Sequence, residues 1–162
     1  MIYRVKITLP ESKIFLREYA ISGDMTLFAF HNFICSALAF DPDQMVYFST
    51  FDADGKKTAA YGLFDMGKGS MDTVTLAKVV KDGAATVRYF FDMRRKRYFI
   101  VEITGEITDP RTEAGSLLES KGDDPQQFAE KYIDPEVVVP RKPSYSDEDG
   151  KLLVDEDYGK EA

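Results

Sequence analysis

Two aromatic and β-branched runs, Thr86–Asp92 and Arg97–Ile107, stand on either side of Met93-Arg94-Arg95-Lys96, and this pairing constrains the fold more than any other feature of the chain. With residues 93–96 as the loop, Phe90 lies opposite Phe99, Tyr89 opposite Ile100 and Asp92 opposite Arg97. Both faces of such a pair are apolar. That predicts a central hairpin covered on two sides, by a helix on one and by other elements on the second.

The rest of the chain supplies the neighbours. Tyr3-Arg4-Val5-Lys6-Ile7-Thr8-Leu9 alternates apolar with polar, the period of a half-buried strand, and Pro10 ends it. Ile14, Leu16, Tyr19 and Ile21 recur over residues 13–21, so a hairpin through Pro10-Glu11-Ser12 is expected. Ser22-Gly23-Asp24 offers capping side chains before Leu27, Phe30, His31, Ile34, Ala37 and Leu38, whose spacing predicts a helix over 25–38. Asp41-Pro42-Asp43 breaks the chain, Met45–Phe51 reads as a strand, and Asp52-Ala53-Asp54-Gly55 as a turn. Residues 52–73 read as a polar loop holding one edge strand near 59–64, followed by a short helical turn over 73–80. Beyond Thr108 a loop is expected, with one short helix over 125–132. The order of hairpin, helix and further strands predicts an α+β domain: a mixed, largely antiparallel sheet with one main helix packed on it, β-grasp-like in its element order.

Length and charge divide the chain into parts. Its 162 residues, 44% hydrophobic, include 12 Phe and 9 Tyr and fit one domain with a substantial core. Residues 1–108 carry 14 basic and 13 acidic side chains, whereas 109–162 carry 7 and 15. We read 1–142 as a single α+β domain, with its core in 1–108 and a loop-rich extension over 109–142, and 143–162 as an acidic tail. Within that tail Leu152, Leu153 and Val154 stand between Asp147-Glu148-Asp149 and Asp155-Glu156-Asp157. The sequence there admits two readings: plain solubilising polarity, or an anchor formed by Leu152, Leu153 and Val154 on the domain or on a partner.

No run is long enough to span a bilayer and no leader pattern opens the chain, so it reads as unexported, and its lone cysteine agrees with the cytoplasm. Cys35 sits in the apolar run 33–38, where a buried reduced thiol is expected. His31 lies four residues before it, one helical turn away, and the same face carries Leu27 and Ile34, which favours a hydrogen-bonded core imidazole over a base or ligand. One histidine and one cysteine make no metal set, and no cofactor motif is present. Asp52-Ala53-Asp54-Gly55 opens like a calcium loop, but Leu63 stands where its final acidic ligand belongs. Gly67-Lys68-Gly69-Ser70 lacks the upstream glycine of a phosphate loop.

Arg94, Arg95, Lys96 and Arg97 form the densest basic feature, at the tip of the expected hairpin. Guanidinium forks suit phosphate or carboxylate, so the run is a candidate for phosphate, nucleic acid or an acidic segment. Asp92 and Glu102 fall about 15 Å apart along the strands, too far to share acid–base work, and a cross-strand ion pair accounts better for Asp92.

Taken together, Thr26–Ile34, Phe40-Asp41 and Met45, then Leu76, Tyr89–Met93, Tyr98–Glu102 and Leu118–Gln126 resemble, in order, the motifs of the plasmid pRiA open-reading-frame-three-like family. That family is also labelled mobile-element passenger or resolvase-like, and has no established function. The resemblance covers roughly residues 1–130 and implies an α+β fold. Much of the family has Phe-Gly-Asp followed by Trp and His at the turn where this chain has Met93-Arg94-Arg95-Lys96-Arg97. The favoured reading is a non-catalytic binding domain that contacts a protein partner, with the acidic segment as second contact or regulator. Its alternatives are a nucleic-acid-associated protein using the basic turn and a hydrolase of unknown substrate.

Overall fold

The computed structural model of the protein describes residues 1–128. In β1 (Ile2–Leu9) the alternation buries Tyr3, Val5, Ile7 and Leu9 and turns Arg4, Lys6 and Thr8 the other way. It pairs with β2 (Ser12–Ser22) in the expected hairpin, Val5 opposite Tyr19 and Ile7 opposite Arg17. β3 (Tyr47–Phe51), β4 (Lys57–Tyr61), β5 (Thr86–Asp92), β6 (Arg97–Ile107) and β7 (Leu117–Lys121) complete one seven-stranded sheet in the order β4-β3-β5-β6-β1-β2-β7. Each neighbouring pair is antiparallel. With two helices against this sheet, the fold is α+β.

Helix α1 (Leu27–Leu38) buries Leu27, Phe30, His31, Ile34, Cys35 and Leu38 on one side, the face its spacing predicts. It starts later than expected. Thr26, not the Ser22-Gly23-Asp24 group, is the cap, its hydroxyl accepting from the Ala29 amide at 3.1 Å, while the Ser22 hydroxyl is taken up by the Asp24 amide. α2 (Leu76–Lys81) begins in the same way from Thr75, and the two caps meet: Leu27 N donates to Val74 O at 2.9 Å and Leu76 N to Met25 O at 3.0 Å. Backbone bonds thus fix the start of one helix against the start of the other.

The helix face lands on rings from the sheet. Phe30 packs on Phe48, Phe33 on Tyr19 and His31 on Tyr89. Tyr89, Phe48, Phe91 and Phe99 are among the largest fully buried side chains, each aromatic burial contributing about 1.5–3 kcal/mol.

The β5–β6 register corrects the sequence reading. Asp92 does face Arg97, but Tyr89 pairs with Phe99, Phe90 with Tyr98 and Val87 with Val101. The irregular step between Phe90 and Asp92 leaves Phe91 as an extra residue, and a bulge of that kind shifts everything beyond it by one position. The shift places the buried residues of both strands on one face. The opposite face, expected to be covered, is half-exposed: Tyr47 stacks on Phe90 at 4.4 Å, Phe90 meets Tyr98 at 5.0 Å, and the Arg88 guanidinium lies over Phe51 and Tyr98.

β7 occupies a stretch read as loop. It pairs with β2 and covers that strand's outer edge. Gly122 follows with a positive φ of 77° and packs so closely on the Ile14 carbonyl that a Cβ would lie 3.0 Å from it. Of the helix expected over 125–132, residues 125–128 are irregular and the remainder falls outside the described residues, as do the tail and its Leu152, Leu153 and Val154.

Candidate functional site

The basic run divides in two. Arg94, Arg95 and Lys96 are exposed on the β5–β6 turn, where the Asp92 carboxylate accepts from the Arg95 amide at 3.2 Å and Lys96 takes a left-handed φ of 54°. Arg97 turns inward and is 8% exposed. Its guanidinium donates to Glu11 Oε2 at 2.8 Å and to the carbonyls of Gln127 and Gln126, each at 2.9 Å; it lies 3.5 Å from Asp92 Oδ2 and stands over the Phe91 ring. The expectation that Arg97 shares an exposed cationic tip is therefore corrected. As the first residue of β6, beyond the bulge, its side chain points to the buried face, and its donors are spent on folding.

Arg17 does parallel work on β2. It is 7% exposed, donates to Asp124 Oδ1 at 2.7 Å and to the carbonyls of Leu16, Lys121 and Gly122, and stands over Phe15. Between them the two arginines bind residues 121–127 to the sheet. Gln127 is held from a second side, its amide oxygen accepting from Asp41 N at 2.7 Å and its amide nitrogen donating to Asp41 O at 2.9 Å.

Beside the exposed part of the basic turn lies a groove of about 290 Å³, at the end of the sheet where β3 begins, β4 ends and β5 ends. Met45, Tyr47, Leu63, Phe64, Met66 and Met93 line it. Phe64 is 83% exposed and Met45 68%, an unusual outlay of large apolar side chains toward water. The loop that presents Phe64 and Met66 is shaped from within. Asp65 accepts from the amides of Gly67 and Gly69 at 2.7 and 3.0 Å, bonds that hold its carboxyl below the usual carboxylate range, and Met71 N closes the loop on Gly62 O at 2.9 Å. Thioethers on such a rim adapt to differently shaped apolar side chains.

The sequence reading missed this groove. Its members come from three separate segments, 45–47, 62–66 and 93, and show no periodicity. The available signal was local: Met45, Phe64, Met66 and Met93 are bulky apolar residues in stretches otherwise polar, glycine-rich or basic.

His31, Cys35 and Tyr89 do come together, inside the core. His31 Nε2 donates to the Pro42 carbonyl at 2.9 Å, so Nδ1 is the acceptor of the hydrogen bond that the Tyr89 hydroxyl donates at 2.5 Å. Cys35 Sγ stands 3.7 Å from both partners. Burial lowers the His31 pKa and raises those of Cys35 and Tyr89, so all three are held uncharged. This is a satisfied polar knot between α1 and β5, with a thiol protected from ionisation. Asp92 and Glu102 remain apart, Asp92 on Arg97 and Glu102 4.0 Å from Lys6.

A second cavity, of about 390 Å³, lies between β4 and α2. Its Thr50 and Thr58 hydroxyls bond to each other at 2.8 Å, and Lys78 pairs with Asp82 at 2.7 Å. Asp52 closes its turn by accepting from the amides of Asp54 and Lys56. Among the described residues no three His, Cys, Asp or Glu side chains are placed to hold a metal ion, and no helix is long and apolar enough to cross a membrane.

With the sheet, the two helices and the motif-bearing strands in view, the family model for plasmid pRiA4b ORF-3-like protein matches residues 1–128. The chain belongs to that family. Its function is not established. The fold is similar to that of a protein of unknown function from Methanosarcina mazei Go1 in a crystal structure, with a TM-score of 0.62 at 13% identity, over 76% of this chain and 70% of that one. No curated protein matches the chain in sequence. The family's matched span ends where the structural description ends, at Phe128, and includes both the groove and the basic turn.

Proposed function

We propose that this family member is a cytoplasmic protein-binding domain whose working surface is the methionine-rich groove with the exposed Arg94, Arg95 and Lys96 beside it. The partner it suits is an extended protein segment carrying a short apolar run flanked by acidic residues. The single observation behind this reading is the juxtaposition of exposed Phe64, Met45, Met66 and Met93 with a cationic turn that begins at the residue after Met93. Apolar burial in such a groove supplies affinity, and the rim cations select the sign of the flanking charge and speed encounter.

The test is fluorescence anisotropy of labelled peptides with the full chain. A Leu-Leu-Val run flanked by acidic residues is expected to bind more tightly than the same run flanked by lysines, and to weaken with added salt. Equal binding of the acidic-flanked, lysine-flanked and serine-substituted peptides would overturn the reading.

A second reading, contact with single-stranded nucleic acid, draws on the open sheet face, where Tyr47, Phe90 and Tyr98 form a row of rings ending near the same basic turn. Salt-sensitive oligonucleotide binding that Tyr98→Ala abolishes would favour it.

A further inference from the structure

We infer that residues 147–157 of this same chain occupy the methionine-rich groove, so that an outside partner binds by displacing them; the inference rests on the peptide-docking reading of that groove. The segment Asp147-Glu148-Asp149-Gly150-Lys151-Leu152-Leu153-Val154-Asp155-Glu156-Asp157 has the composition that the groove and its rim call for. It carries one apolar triplet between two acidic triplets, opposite in charge to the turn that bears Arg95 and Lys96 beside the groove.

Position supports the match. The last described residues are fastened beside the groove from two directions. Gln126 and Gln127 are held by Arg97, four residues after Met93, and Gln127 by Asp41, four residues before Met45. The described chain therefore ends at the end of the sheet where the groove lies. Phe128 and Leu152 are 24 residues apart, a length of chain ample to reach the groove, and tethering over such a length gives an effective concentration on the order of 1 mM. At an intrinsic dissociation constant of about 0.1 mM the tethered segment fills the groove about nine-tenths of the time and weakens an outside competitor about tenfold. The acidic segment is then a built-in competitor that sets a threshold for partners.

Six methionines make the test direct. With ¹³C-labelled methionine methyls in the full chain, Met45, Met66 and Met93 report on the groove, while Met1 and Met25 lie elsewhere and serve as references. Wild type is compared with a full chain carrying Leu152→Ser, Leu153→Ser and Val154→Ser, which leaves residues 1–128 intact. The expected result is that the three groove resonances move, the references superpose, and the difference persists on dilution but shrinks as salt is added. Superposition of the groove resonances would overturn the inference. Titration of a 147–157 peptide into the variant then separates the two levels: movement of the groove resonances keeps the docking surface for an outside partner, and no movement removes the docking surface as well. A difference that vanishes on dilution would assign the occupant to a second copy, which also overturns the intramolecular inference.

Discussion

Arg97 and its neighbours Arg95 and Lys96 carry the same charge within three residues, and the fold uses them in opposite ways. Arg97 is enclosed by Glu11, Asp92 and two carbonyls, whereas Arg95 and Lys96 stand in solvent beside an apolar groove. The contrast extends to the regions around them. Along β6, β1, β2 and β7 the buried arginines are matched with acceptors; at the start of β3 and the end of β5, large thioether and phenyl groups stay exposed. A dense basic run is thus not one feature, and burial decides which of its members stabilise the fold and which remain available to a partner.

The sharpest way to break this contrast is Arg97→Met, which leaves Asp92, with a side chain only 9% exposed, without its opposite charge, and Glu11 and two carbonyls without their donor. We expect a loss of about 3–5 kcal/mol, read from the urea midpoint, whereas Arg95→Met should stay within about 0.5 kcal/mol of wild type. Equal effects from both would erase the distinction. Next in size is Tyr89→Phe, which removes the donor to buried His31 Nδ1 and should cost about 1–3 kcal/mol by the same measurement.

Acid probes the buried side alone. Burial lowers the His31 pKa below its ordinary 6.5, so between the two values the unfolded chain binds a proton that the folded chain does not. This contribution is complete above pH 6.5 and is lost as the pH falls below it, down to the folded value. Thermal melts should therefore show a decline that His31→Gln flattens, set against its own lower baseline. The smallest effect on stability is expected on the exposed side: Phe64→Asp should change the urea midpoint by no more than about 0.5 kcal/mol while abolishing binding of the acidic-flanked peptide.

What was legible in the sequence follows the same division. The β1–β2 hairpin, α1 and the two strands of the β5–β6 pair announced themselves because regular burial imposes a regular period on Val5, Ile7, Phe30, Ile34, Tyr89 and Phe99. The bulge at Phe91 did not, since an extra residue in a continuous run of aromatics leaves the composition unchanged while shifting the register. β7 was hidden for a different reason: Leu-Leu-Glu-Ser-Lys is an edge strand with four of its five residues exposed, and nothing in it alternates. The groove was out of reach because it is assembled from segments far apart in the chain. Arg97 was misread because its acceptors, on Glu11 and residues 126–127, are equally remote.

The two buried arginines also set a timetable for synthesis. Arg17 and Arg97 are made early and late in the sheet, yet both depend on residues 121–127, which emerge after every other strand is available. Until then β2 has an uncovered edge and two guanidinium groups lack the acceptors that residues 121–127 supply, so a nascent chain stopped before Lys121 should be the form most prone to aggregate.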